Sequence, residues 1–218
     1  MNVGEYKQVW QEIAEGVIED ILNGLYEPGE RLKETVLGAK YKTSNTPVRE
    51  ALRYLERTDF VEIIPRAGAV IKGITEKELR DLISVQCVLE EWAVIESVDK
   101  LNQTDIDNLT HYVEQIAQYW KEKNYSGSEH AHVQFHTTIW MASNNGELVE
   151  MLKLIYTKVA RASVFSRRSP DWSKDVEGYH RAILKAVINK EGKKAGKLVR
   201  KGLEQYLTEI VTIAWKYR

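Results

Sequence analysis

A single cysteine, Cys87, excludes an internal disulfide framework and fits a reducing compartment. Neither charge is in excess. The 31 Lys and Arg stand against 32 Asp and Glu, a formal net charge of −1, so any attraction to nucleic acid must be local. No apolar run reaches the length that crosses a bilayer. Glu5, Lys7 and Glu12 interrupt the N-terminal apolar residues, which is wrong for a signal peptide. Internal repeats and low-complexity tracts are missing too. These absences point to a cytoplasmic protein with no membrane partner. What is present, 218 residues of which 43% are hydrophobic, suffices for one large domain or two small ones with real cores.

The stretch from Leu32 to Ile71 organises the rest. Ser44 reads as a helix N-cap, and Pro47 lies just inside the start, where its missing N–H is harmless. Val48, Ala51, Leu52 and Leu55 recur at helical spacing and form a buried stripe, leaving Asn45, Thr46, Arg49 and Arg53 on the opposite face. The second helix of a helix-turn-helix presents that arrangement to the DNA major groove. Upstream, Glu34 to Lys40 suits a short helix followed by a tight connection at Tyr41-Lys42-Thr43. Downstream, Phe60 to Ile64 reads as a strand, Pro65 to Gly68 as a turn and Ala69 to Ile71 as a return strand. The pattern is a winged helix with a two-stranded wing. Arg66 and Gly68 sit where the chain must turn and approach a phosphate or the minor groove. Between Arg31 and Lys72, nine Lys or Arg face five Asp or Glu, a local excess of four positive charges. Solvated arginines on a small helical subdomain are the alternative.

The first helix is marked by Val9, Ile13, Val17, Ile18, Ile21 and Leu22 and ends at Gly24. A domain boundary is expected near residue 73, where Lys72-Gly73-Ile74 leads into a capping box at Thr75-Glu76-Lys77-Glu78. Residues 1–73 then form one domain and 74–218 the other. Beyond the boundary the pattern is almost wholly helical. One helix, lined by Leu79, Leu82, Ile83, Val85, Leu89 and Val94, runs to Val98. Another starts at Thr104 and breaks at Ser126-Gly127-Ser128. Others span His130 to Ala142, Leu148 to Arg167, Asp171 to Asn189, and Lys193 to about Trp215. The predicted fold class is therefore mainly α, a winged helix-turn-helix with a small β-wing followed by an all-α bundle. Trp92, Trp120, Trp140 and Trp172 are expected to pack in its core.

His132 and His136 are four residues apart, on one helical face and able to grip one metal ion, and His180 lies on a later helix. Surface or core histidines at the same spacing are the plainer reading. No well-placed Glu or Asp is expected beside His132 and His136 for general-base work.

The run Pro28-Gly29-Glu30-Arg31-Leu32, then Glu34, Ser44-x-Thr46-Pro47-Val48-Arg49-Glu50-Ala51-Leu52, Leu55 and Arg66-x-Gly68-x-Val70 resembles the GntR family of bacterial transcription regulators. The family usually has Arg directly after the serine. Here it is Asn45, which suits adenine or a phosphate rather than guanine, so the operator is expected to differ. The C-terminal part resembles the FCD ligand-sensing domain of the FadR-type branch, more by helix order and spacing than by residues. That resemblance implies a metal held by one Asp and three His. The aspartate position falls on His132, the histidine positions on His136, His180 and Gly202, so three imidazoles remain. It implies either a surviving zinc or nickel site, with open space beside Gly202 for water or an effector oxygen, or a site that no longer binds metal. An Arg common in the family is Gln86 here, which weakens the expectation of a carboxylate effector. Arg161 is a second candidate anion contact, a surface salt bridge being the alternative.

The resulting expectation is a homodimeric, ligand-responsive regulator on a palindromic double-stranded DNA operator, a repressor released by a small-molecule effector. Ser44, Asn45, Thr46, Arg49, Arg53, Arg66 and Gly68 would touch DNA, His132, His136 and His180 the metal, and Gln86 and Arg161 the effector. A metal-dependent enzyme using the bundle histidines is the alternative from another class.

Overall fold

The computed structural model describes residues 8–65, 68–162 and 176–215. The chain divides into two compact units, one ending at Ile74 and the other beginning at Thr75.

The first unit runs α1 (Val9–Leu22), β1 (Arg31–Leu32), α2 (Glu34–Lys40), α3 (Asn45–Arg57), β2 (Val61–Ile64) and β3 (Gly68–Ile71). Buried Val48, Ala51, Leu52 and Leu55 form the inner stripe of α3, as their spacing predicts. Helix α3 packs on α1 and α2 and touches β2, and Ile13, Ala14, Val17, Leu32, Phe60 and Ile71 are buried in the same unit. Ser44 is the N-cap residue of α3, but its side chain makes no capping hydrogen bond. The sheet has three antiparallel strands in the order β1-β3-β2, not the two expected. The extra strand is only two residues long, pairing Arg31 with Val70 and Leu32 with Ala69. Its partner is distant in sequence, and a two-residue strand carries no alternation to read. Gly68, φ +85°, opens β3 opposite Ile64, a left-handed backbone that glycine adopts without strain.

The second unit contains α4 (Glu76–Ser97), α5 (Gln103–Lys121), α6 (Tyr125–Ala142), α7 (Gly146–Ala160), α8 (Val176–Ile188) and α9 (Gly192–Trp215). Thr75 caps α4 in the predicted box: its Oγ1 accepts from the Glu78 amide at 3.2 Å, and the Glu78 carboxylate accepts from the Thr75 amide at 2.8 Å. Helix α4 packs along α9 and also touches α6 and α7, while α5 packs on α6 and α8. Phe135, Ile139, Leu109, Val113, Ile116 and Ile183 are central to the main core, and Trp140 joins Leu148, Val149 and Leu152 in a second one.

Several helix expectations need correction. Helix α5 starts from Asn102, not Thr104, through a reciprocal cap with Asp105. It stops before Lys123, whose φ is +58°, and Asn124 then caps α6 by accepting from the Gly127 amide at 3.0 Å. Ser126-Gly127-Ser128 therefore lies in the first turn of α6 rather than in a break. Helix α7 ends at Ala160 instead of Arg167. Most consequential is α4. Its buried face carries Gln86, Cys87, Glu90 and Ser97, while Val85, Val88 and Trp92 are half-exposed, contrary to the expectation for Val85 and Trp92. Trp140 is fully buried and Trp120 partly so. Trp172, like the ends of the two helices predicted around it, lies outside the described residues.

Candidate functional site

On the first unit, the residues left over by the inner stripe of α3 are outward. Ser44, Asn45, Thr46, Arg49 and Arg53 are all exposed. Arg49 is not loose: its Nε donates to the Glu34 carboxylate of α2 at 2.9 Å, an exposed ion pair. Gly68 stands at the tip of the β2–β3 hairpin, and the Arg31 guanidinium lies across it, 3.5 Å from where a β-carbon would be. Arg31 is thus a wing cation that sequence reasoning did not single out, because its nearness depends on β1 joining the sheet. Arg66 lies outside the described residues.

Within the second unit, His132 and His136 from α6 meet His180 from α8. One ring nitrogen from each lies within 4.8 Å of the others. His132 Nδ1 and His180 Nε2 are 2.9 Å apart, and His180 is buried between the rings of Phe135 and Tyr179. Lost hydration around His132, with repulsion from His136 and His180, holds its pKa well below the usual histidine value. The ring is therefore neutral near pH 7, the form that binds metals.

His136 is 3% exposed, and neither of its ring nitrogens has a hydrogen-bond partner. Its Nδ1 lies 3.1 Å from Glu90 Oε2, within ion-pair distance but out of line for a hydrogen bond. The other Glu90 oxygen accepts from Gln86 Nε2 at 2.6 Å. Glu90 is the residue missed when the sequence was taken to offer no carboxylate beside His136. The available signal was a charged residue one turn from Gln86 and Val94 on an otherwise apolar helix face. Among the described residues six buried side-chain polar atoms lack a hydrogen-bond partner, and five belong to Gln86, Glu90, His136 and Trp140. Such atoms are rare in folded proteins, and their concentration here marks this polar cluster as the candidate site. Three converging imidazoles, with the His136 Nε2 left without a hydrogen-bond partner, fit one borderline transition-metal ion.

Around this cluster, Tyr156 of α7 donates to the Glu129 carboxylate, and its ring lies 5.8 Å from that of His132. Burial, reinforced by the Glu129 charge, pushes the Tyr156 phenol well above its usual pKa, so it stays a donor. The expected space beside Gly202 is filled. A β-carbon there would lie 2.1 Å from Tyr179 Cε2, so glycine is what lets the phenol ring occupy that side. Of the two proposed effector contacts, Gln86 is beside the histidines through Glu90. Arg161 is only 4% exposed at the C-cap of α7, its Nε donating to the Lys158 carbonyl at 3.1 Å.

No helix among the described residues is long and apolar enough to cross a membrane. The family model for bacterial regulatory proteins of the gntR family matches residues 10–71, and that for the FCD domain matches residues 81–205. The chain is 28% identical to the gluconate operon transcriptional repressor of Bacillus licheniformis over 178 residues, 78% of this chain and 72% of that protein. It is 24% identical to the transcriptional repressor GlaR of Escherichia coli over 192 residues, 84% of this chain and 87% of that one. Among solved structures, Escherichia coli McbR/YncC superposes with a TM-score of 0.85 at 19% identity, covering 97% of this chain and all of that one. These matches are to transcription regulators and not to an enzyme, despite the carboxylate beside His136. The protein is a transcription regulator of the GntR family, a winged helix-turn-helix followed by an FCD domain.

Proposed function

We propose that the protein is a homodimeric repressor that binds a palindromic DNA operator through α3 and the wing and releases it when a small-molecule effector enters the FCD bundle. The observation that carries the reading is the two-sided character of α3. Its apolar stripe is wholly buried, whereas Ser44, Asn45, Thr46, Arg49 and Arg53 are exposed together. Arg66 and Gly68, with Arg31 beside the latter, supply the wing contact to phosphate or minor groove. Repression is supported by the names of the gluconate operon repressor and GlaR, to which this chain is similar. The reading carries with it a cytoplasmic location. Selection of full-length protein on random duplex DNA is expected to enrich an inverted repeat. Enrichment of a single asymmetric half-site, or none, would overturn the palindromic operator.

His132, His136 and His180 are the residues that would hold a zinc or nickel ion. Such an ion would supply a Lewis-acid anchor for an oxygen of the effector, a carboxylate being suited to it. Gln86 and Arg161 are the protein's own candidates for effector contacts. Support for the dimer comes from α4, where Val85, Val88 and Trp92 are 49%, 57% and 53% exposed at i, i+3 and i+7. An apolar stripe of this kind is a recognised interaction surface. Trp92→Glu is expected to shift the protein toward monomer in sedimentation velocity and to weaken operator binding in parallel. An unchanged dimer at the same concentration would remove α4 from the interface.

A further inference from the structure

We infer that Glu90 is the outer carboxylate of the histidine centre, holding the Nδ1–H of His136 so that Nε2 faces the metal, and that Gln86 keeps Glu90 free for this task. The inference rests on the three-histidine metal reading above and deepens it.

The first observation is the geometry at His136. Nδ1 lies 3.1 Å from Glu90 Oε2, and both atoms are buried without a hydrogen-bond partner. At that separation the pair is within hydrogen-bonding distance once the N–H is aligned with the oxygen. Metal-bound imidazoles commonly donate their second ring N–H to a carboxylate in this way, which fixes tautomer and orientation. With Nδ1 given to Glu90, the nitrogen left for the ion is Nε2, which is also buried and unpartnered.

Glu90 is not itself a fourth ligand. It stands outside the set of atoms that lie within 4.8 Å of one another. Two atoms bound to one zinc ion at about 2.0–2.2 Å can be no more than about 4.4 Å apart. A carboxylate close to one histidine but outside the cluster acts through that histidine, as a positioning residue.

Gln86 supplies the third part. It sits one turn before Glu90 on α4 and gives a single N–H to Oε1 at 2.6 Å, leaving Oε2 directed at His136. An arginine at 86 would bind both carboxylate oxygens as a fork and withdraw them from His136. The amide therefore braces Glu90 without competing for it.

The test uses the full chain and zinc alone, titrated against a chromophoric chelator. Glu90→Gln keeps the shape of the side chain and all three histidines, and is expected to weaken zinc binding by about 10- to 100-fold. Gln86→Arg should weaken it in the same direction while Glu90 remains present. Melting of the metal-free variants serves as the control for folding. With cobalt(II) in place of zinc, Glu90→Gln should alter the d–d absorption envelope, a signature that a purely structural role for Glu90 would not change. Wild-type zinc affinity and an unchanged cobalt spectrum in Glu90→Gln would overturn the role of Glu90 and leave the three-histidine centre standing. Failure of the wild-type protein to bind zinc would reject the centre and this inference together. If Glu90→Gln does not fold, unchanged zinc affinity in Gln86→Arg overturns the inference by itself.

Discussion

Arg49→Ala is expected to weaken binding to the selected operator by about 10- to 100-fold, corresponding to the roughly 1–3 kcal/mol typical of a well-placed arginine at a base. Arg49 lies in the first turns of α3, on the face opposite Val48, Ala51, Leu52 and Leu55. Its only described partner is Glu34, which accepts from Nε and thereby fixes the guanidinium plane. The two terminal nitrogens remain for DNA, and a planar fork held at Nε suits bidentate recognition. The Arg49–Glu34 pair is exposed, so its loss removes little stability. Helical content and sedimentation of the variant should therefore match the wild type, while operator affinity collapses. Equal affinity for the operator in variant and wild type would refute the assignment of α3 as the reading helix.

The winged helix was legible because its signals are local. Pro47 marks a helix start, and the stripe from Val48 to Leu55 repeats within two turns, so neither needs knowledge of distant residues. What failed there was nonlocal: β1 exists only because Arg31 and Leu32 find Val70 and Ala69. The same division holds in the bundle. Spacing alone put His132 and His136 on one face, but the approach of His180 to 2.9 Å from His132 is a product of helix packing.

Helix α4 misled for a different reason. Counting apolar residues assigned Val85 to the core, yet the buried face carries Gln86, Glu90 and Ser97. Ser97 is satisfied by the carbonyls of Ala93 and Ile139, at 2.5 and 2.6 Å. Gln86 donates to one Glu90 oxygen, and the other Glu90 oxygen lies 3.1 Å from His136 Nδ1. Polar residues inside a helical bundle break the hydrophobic period, and here they do so beside the candidate histidine site. The filled space beside Gly202 was equally invisible, since glycine in sequence does not say which side chain moves in. Tyr179, the residue before His180, does so.

His180→Ala is expected to abolish high-affinity zinc binding, with a loss larger than the about 10- to 100-fold that follows removal of an outer partner, since a ligand itself is gone. Wild-type protein purified without a histidine tag or chelator should carry about one transition-metal ion per chain under the three-imidazole reading. Zinc at about 100 times its dissociation constant would stabilise the folded state by about 2.7 kcal/mol. For a protein of this size that is a rise in melting temperature of roughly 5–10 °C. His180 is 1% exposed and wedged against Phe135 and Tyr179, so alanine also leaves a cavity that lowers the melting temperature without metal. The informative quantity is therefore the zinc-induced shift within each variant, not the absolute temperature. In His180→Ala only His132 and His136 remain, two imidazoles on one helix face, and the shift should vanish at zinc concentrations that saturate the wild type. A full zinc-induced shift in His180→Ala would show that the ion, if present, sits elsewhere. Absence of metal in the wild type, persisting after zinc is added, would mean that replacing the aspartate and third histidine implied by the family resemblance with His132 and Gly202 has retired the site.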